Sequence, residues 1–170
     1  MLTTNQKGAI AEMAITLEAL RHGLVVLRPV AEGGRYDLVF DVDGRFLRVQ
    51  CKWATRVRDT VVIRARTCRR GPEGLVRGRY SPDEIDLVAG YCCETDRSYV
   101  VPFADFPPCG DIQLRLTPAK NNQSLGLNWA SNYEFGAIAQ LGERVSGTHE
   151  VVGSSPTSST AKPPPGAALF

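Results

Sequence analysis

Three polar residues stand at positions from which they could act together on a phosphate group. Asp37 lies in one predicted strand, and Gln50 and Lys52 flank Cys51 in the next. Carboxylate, amide and carbonyl oxygens suit a hard cation such as Mg²⁺, and an ammonium group can orient water or stabilise charge during hydrolysis. We therefore predict metal ligands at Asp37, Gln50 and the Cys51 backbone carbonyl, with Lys52 as a catalytic cation. The solvent-facing side of an ordinary amphipathic hairpin would show the same pattern.

A two-residue turn predicts how these side chains meet. Asp43-Gly44 separates residues 36–42 from residues 45–52, and this dipeptide favours a tight β-hairpin. In that register Asp37 lies opposite Gln50, with Cβ atoms about 5 Å apart. The alternate positions are apolar and predict a buried face. That face carries Leu38, Phe40, Val42, Leu47, Val49 and Cys51.

The other elements predict one α/β domain with a mixed sheet. A helix should begin at a cap in Thr3-Thr4-Asn5 and end near His22. Its predicted buried stripe consists of Ile10, Met13, Leu17 and Leu20. Further strands are expected at residues 24–27, 60–66, 85–92, 98–103 and 112–116. The segment 69–82 is rich in glycine and arginine and is predicted to be a mobile basic loop.

Positive charge is concentrated in one part of the chain. The net charge of the 170 residues is only +2, yet residues 45–80 carry 11 basic side chains against two acids. This favours a surface that binds a polyanion, although a solvated basic face is the alternative. The candidate DNA-binding residues are Arg48, Arg56, Arg58, Arg64, Arg66, Arg69, Arg70, Arg77 and Arg79.

The five cysteines do not predict a zinc site, because their number is odd and no CxxC spacing occurs. The first residues lack the basic start and apolar stretch of a signal peptide. Apolar runs are too short to span a bilayer, so no membrane partner is expected. We therefore expect a cytoplasmic protein with reduced cysteines.

Asp37, twelve intervening residues and Gln50-Cys51-Lys52 resemble the signature of the PD-(D/E)xK nuclease superfamily. The pattern looks most like the homing endonucleases associated with group I introns, in which glutamine can occupy the second acidic position. Tyr36 replaces the nominal proline, and Gln50 removes one negative charge from the metal site. Lys7-Gly8 followed by Glu12 is similar to the first-helix glutamate pattern of these nucleases. The resemblance extends over residues 6–133.

This resemblance implies a restriction-endonuclease-like mixed β-sheet core flanked by helices. It also implies cleavage of double-stranded DNA with Mg²⁺ or Mn²⁺ by a homo-oligomer, either a dimer or a tetramer. Glu12 would then be a fourth catalytic residue, acting through metal-bound water. Two alternatives stay open: a noncatalytic DNA-binding protein on a degenerate nuclease fold, and a nuclease that resembles Holliday-junction resolvases.

The composition changes at residue 136. Ala-Gln-Leu-Gly-Glu at residues 139–143 and Gly-Ser-Ser-Pro at residues 153–156 resemble translated D-arm and T-arm sequences of a tRNA gene. We predict a nuclease domain at residues 1–135 and a disordered read-through tail at residues 136–170. A generic flexible tail rich in glycine, serine and proline is the alternative.

Overall fold

The structure, a computed structural model, describes residues 1–31, 33–71, 74–118 and 126–137, with only the backbone of residues 68–71 and 75–77. The elements in these ranges are α1 (Thr4–Arg21), β1 (Val25–Leu27), β2 (Leu38–Val42), β3 (Arg45–Val57), β4 (Thr60–Arg64), β5 (Arg66–Gly71), β6 (Gly74–Arg79), β7 (Leu87–Cys92), β8 (Arg97–Pro102), β9 (Asp111–Arg115) and β10 (Asn128–Trp129). Short 3-10 helices lie at Phe103–Asp105, Ala130–Tyr133 and Phe135–Ala137. Almost all of the predicted tail, including its tRNA-like stretches, lies outside the described residues.

The long strand β3 takes part in two sheet regions. Its first part pairs antiparallel with β2 and its middle parallel with β7, which gives the order β1–β2–β3–β7–β8. Its last residues pair with β4, and the order continues through β9 to β10. The predicted mixed sheet is confirmed. Both faces of β7 are buried, since Leu87 and Ala89 join the core beneath α1 whereas Val88 joins a second core on the other side.

The β2–β3 hairpin has the predicted turn and register. Asp43 and Gly44 have φ angles of 53° and 81°, the positive values that a type I′ turn requires. Phe40 pairs with Leu47, and Leu38 pairs with Val49. All six side chains of the predicted apolar face are buried. The hairpin is therefore held in register by the core on its inner face.

Helix α1 begins as predicted but turns a different face toward the sheet. Thr3 and Gln6 form a capping box. The buried residues are Ala11, Ile15 and Ala19, and the two small alanine side chains let the helix lie close to β3 and β7. The predicted stripe is wrong, because its members are 37–60% exposed: Ile10, Met13, Leu17 and Leu20. In the part of the chain that the structure describes, no helix is long and apolar enough to cross a membrane.

The segment predicted as a basic loop is largely a β-hairpin. Strands β5 and β6 pair antiparallel, from Arg66 opposite Arg79 to Gly71 opposite Gly74. A Cβ atom at Gly78 would lie 2.6 Å from Thr67 Oγ1, so a glycine is needed there for close packing within the hairpin. Gly78 contributed to the prediction of a loop, but it lies in strand β6.

Candidate active site

Asp37 and Gln50 meet beside the β2–β3 hairpin, as the register predicted. The Asp37 backbone N–H donates to the Val49 carbonyl at 2.9 Å, which extends the strand pairing to the site. Gln50 is 7% exposed, and its Nε2 donates to Asp37 Oδ2 and, at 3.3 Å, to the Cys51 carbonyl. The Cys51 backbone N–H donates to the same Asp37 oxygen at 2.7 Å. The Asp37 carboxylate and the Cys51 carbonyl, both predicted metal ligands, therefore accept hydrogen bonds from the same buried Gln50 amide group.

This set of donors fits a divalent cation. Among the described residues, no three His, Cys, Asp or Glu side chains form a group that could hold a metal. A site here must therefore combine Asp37 with neutral oxygens, which Mg²⁺ accepts. A half-turn of the Gln50 amide would exchange Nε2 for Oε1 and present an oxygen beside Asp37 and the Cys51 carbonyl.

Burial perturbs both charged groups of the site. It raises the pKa of Asp37, while the Cys51 N–H, the Lys52 charge, the Gln50 amide and Arg28 oppose this rise. Burial lowers the pKa of Lys52, and the charge of Asp37 opposes this fall. The carboxylate and the ammonium group therefore support each other's charged form in a poorly solvated place. Such paired perturbations are typical of functional sites.

Tyr80 is a member of the site that the sequence interpretation missed. Lys52 Nζ donates to Tyr80 Oη at 3.0 Å, although the two residues lie 28 positions apart. Burial raises the pKa of Tyr80, and the charge of Asp37 adds to this rise. The phenol is therefore neutral at physiological pH. No local pattern marks Tyr80, because its partner is brought to it only by the tertiary fold.

Glu12 lies in the same open cleft as Asp37, with a volume of about 720 Å³. Its carboxylate forms an ion pair with Arg28 at 2.7 Å. Arg28 lines the same cleft and also stabilises the charge of Asp37, which sequence reasoning did not predict. The structure thus places Glu12 at the edge of the site, where Arg28 holds its carboxylate.

Arg48 is placed differently from the other predicted DNA-binding residues. Its Nε and Nη2 donate to the two carboxylate oxygens of Asp86, each at 2.9 Å. Its guanidinium also donates to the carbonyls of Pro82, at 3.0 Å, and Asp83. Because these contacts occupy the guanidinium within the protein, we correct its role to that of a structural clamp.

Five other predicted arginines have exposed side chains: Arg56, Arg58, Arg64, Arg66 and Arg79. Of these, Arg66 pairs with Asp111 at 3.0 Å and Arg64 lies 3.9 Å from it. Arg69, Arg70 and Arg77 lie on the β5–β6 hairpin, but their side chains are outside the described part of the structure. The DNA-binding role of these eight residues stays a prediction.

A hairpin that brings an aspartate to a Gln-Cys-Lys sequence, on a mixed sheet covered by the first helix, defines a nuclease of the PD-(D/E)xK type. The chain belongs to the PD-(D/E)XK endonuclease family, whose model matches residues 2–136. The resemblance noted in the sequence is therefore confirmed.

Known proteins that are similar to this chain include a phage protein and a bacterial homing endonuclease. Protein 5.3 of Escherichia phage T7 is 34% identical over 82 residues, which are 48% of this chain and 67% of that protein. The solved structure of the bacterial homing endonuclease I-Ssp6803I is 29% identical with a TM-score of 0.64. That match covers 84% of this chain and 97% of the homing endonuclease chain. The similarity in fold confirms the expected α/β core.

Proposed function

We propose that this protein hydrolyses phosphodiester bonds of double-stranded DNA with Mg²⁺ or Mn²⁺, in the manner of a homing endonuclease. The observation that carries this proposal is the meeting of the Asp37 carboxylate, the Gln50 amide and the Cys51 carbonyl. Lys52 is near enough for its charge to act on Asp37. Membership of an endonuclease family supports the same chemistry.

Each residue of the site has a distinct part in this proposal. Asp37, the Cys51 carbonyl and the Gln50 oxygen would hold the cation. When bound, the metal ion would polarise the phosphate and lower the pKa of a water molecule. Lys52 orients that water and stabilises the charge that develops on the phosphate. Glu12, at the edge of the cleft, would assist through metal-bound water.

The exposed arginines of the β3–β4 turn and of the β5–β6 hairpin would bind DNA phosphates. Arg56 and Arg58 lie at the turn, and Arg66 and Arg79 pair at the base of the hairpin. Each phosphate contact adds about 0.9 to the slope of log affinity against log salt concentration. An Arg79→Gln variant should therefore lose about one unit of this slope. An unchanged slope would remove Arg79 from the DNA surface.

The exposed face of α1 supports a homo-oligomer. Ile10, Met13, Leu17 and Leu20 repeat with spacings of three, four and three residues, as in the seam of a coiled coil. A second copy presents the same stripe, and cutting both strands of DNA requires two active sites. In analytical ultracentrifugation, the wild type should be a dimer or tetramer and Leu17→Glu a smaller species. A monomeric wild type would overturn this part of the proposal.

We also propose a cytoplasmic location. The four cysteines whose side chains are described are free thiols, which fits a reducing compartment. Thiol labelling immediately after cell lysis should modify the exposed Cys93 and Cys109, whereas blocked thiols would contradict this location.

The proposal is tested by incubating the full chain with plasmid and genomic DNA in Mg²⁺, in Mn²⁺ and in EDTA. The DNA should include intact tRNA genes, because of the tRNA-like stretches in the predicted tail. Discrete double-strand cuts in either metal, absent in EDTA, are expected. Single strands and four-way junctions serve as parallel substrates. Preferential cutting of junctions would favour the resolvase alternative.

One observation favours a second candidate function, that of a noncatalytic DNA-binding protein. Gln50 replaces the second carboxylate of the signature, which removes one negative charge from the site. This candidate predicts DNA binding that is independent of Mg²⁺ and no cleavage at any protein concentration. Titration with Mg²⁺, followed by calorimetry and by the change in Tm, separates the two, since only the nuclease requires a bound metal ion.

A further inference from the structure

We infer that Tyr80 is a positioning residue that holds the Lys52 ammonium group in place for hydrolysis. The inference rests on the proposed nuclease function, in which Lys52 acts on the water or the phosphate. It adds a residue that lies outside the Asp37, Gln50 and Lys52 signature.

The geometry of the pair is direct. Lys52 Nζ lies 3.0 Å from Tyr80 Oη and 5.1 Å from the centre of the ring. Among the residues that the structure describes, Tyr80 is the hydrogen-bond acceptor of Lys52. A lysine ammonium group has three N–H donors, so two are left for water and phosphate oxygens.

Tyr80 is itself held from several directions. The Arg35 guanidinium lies 6.0 Å from the centre of the Tyr80 ring, and Arg35 forms an ion pair with Glu84 at 2.7 Å. Glu84 also accepts the backbone N–H of Ser81, the next residue after Tyr80, at 3.0 Å. The ring is partly buried and packs against the second core, the one that contains Val88. The hydroxyl oxygen is therefore a fixed acceptor.

The contact with Tyr80 restricts the motion of the long Lys52 side chain. Lysine has four rotatable side-chain bonds, and a small displacement of a catalytic group costs a large part of the rate. A rigid hydroxyl at the end of the chain restricts the ammonium group to one place. It also stays neutral, so it competes with neither Asp37 nor the phosphate for the positive charge.

The test compares Tyr80→Phe with the matched variant Tyr91→Phe. The Tyr91 hydroxyl likewise forms one side-chain hydrogen bond, as a donor to Asp96 at 2.9 Å on the surface, and its ring can keep its packing as phenylalanine. We expect kcat to fall about tenfold in Tyr80→Phe, with unchanged KM and DNA affinity. Tyr91→Phe should cleave like the wild type. An unchanged kcat for Tyr80→Phe, or a loss confined to DNA affinity, overturns the inference.

A second measurement does not depend on cleavage. In ¹⁵N-labelled full chain, the Lys52 ammonium resonance should be resolved in the wild type and shifted or lost in Tyr80→Phe. An identical resonance in both proteins would overturn the inference. A wild type that never cuts DNA, with a resonance that still changes in Tyr80→Phe, would instead refute the nuclease function and retain the contact.

Discussion

Restoring a second carboxylate to the site by Gln50→Glu should destabilise the metal-free protein strongly. Gln50 is almost fully buried and donates directly to Asp37. The substitution replaces that donor with a like charge. Two carboxylates about 4 Å apart repel by about 4 kcal/mol at an effective dielectric constant near 20. The alternative is that the new carboxyl group takes up a proton, which costs about 3.7 kcal/mol at pH 7 from a reference pKa near 4.3.

Whether the new carboxyl group stays charged or takes up a proton, Gln50→Glu should lose about 4 kcal/mol of unfolding free energy at pH 7. This loss lowers Tm by about 10–15 °C for a domain of this size. Protonation becomes easier in acid, so the cost should fall to about 1 kcal/mol at pH 5. The sign follows from linkage: the folded variant binds more protons than the unfolded chain, so its stability rises as pH falls. Addition of Mg²⁺ should restore most of the loss, about 2.7 kcal/mol at 100 times Kd.

Thermal melting followed by circular dichroism, in EDTA and in Mg²⁺ at pH 5 and pH 7, measures these effects. Gln113→Glu is the matched control, because Gln113 is exposed on β9. Its stability should change by less than about 0.5 kcal/mol. If Gln50→Glu melts like the wild type in EDTA at pH 7, the contact with Asp37 is refuted. If Mg²⁺ fails to stabilise it more than the control, the metal site is refuted.

Three other predictions concern the frame around the site. Arg48→Met should lose about 2 kcal/mol of unfolding free energy, because it leaves a partly buried Asp86 unpaired, while DNA affinity is retained; weaker DNA binding without a stability loss would contradict the clamp. Burial alone would raise the pKa of Asp86, but the hydrogen bonds and charge of Arg48 lower it below the ordinary 3.8. Its stabilisation should therefore be complete above pH 3.8 and disappear as pH falls through the lower folded-state pKa; urea unfolding of Asp86→Asn and wild type should then converge in acid, and parallel curves would refute the pairing. Gly90→Ala should cost about 1–3 kcal/mol of unfolding free energy, because the new Cβ would lie 2.8 Å from Ile63. In a double-mutant cycle, Ile63→Ala should remove most of that added cost. Additive losses would contradict the close packing.

The hairpin was predictable from sequence because local signals agree there. Asp43-Gly44 is suited to a type I′ turn, and alternation separates one buried face from one polar face. Once the turn is set, Asp37 must lie opposite Gln50. The geometry of the site thus follows from a short stretch of chain.

Other features depend on packing that the local sequence does not specify. Helix α1 has two apolar stripes of helical period, and the one with small residues, Ala11 and Ala19, faces the sheet. Periodicity alone cannot choose between them. Arg48 resembles the exposed arginines in sequence, yet its partner Asp86 lies 38 positions away. Tyr80 reaches Lys52 in the same long-range way.

The central claim is that Asp37 and Lys52 carry out metal-dependent hydrolysis of DNA. The most direct measurement is single-turnover cleavage of double-stranded DNA in Mg²⁺ by wild type, Asp37→Asn and Lys52→Ala, with DNA binding measured in parallel in Ca²⁺. We predict cuts by the wild type, a loss of at least about 10³-fold in both variants, and DNA affinity within threefold of the wild type. Cleavage that persists in either variant, or a wild type that binds DNA in Mg²⁺ without cutting it, would contradict the claim.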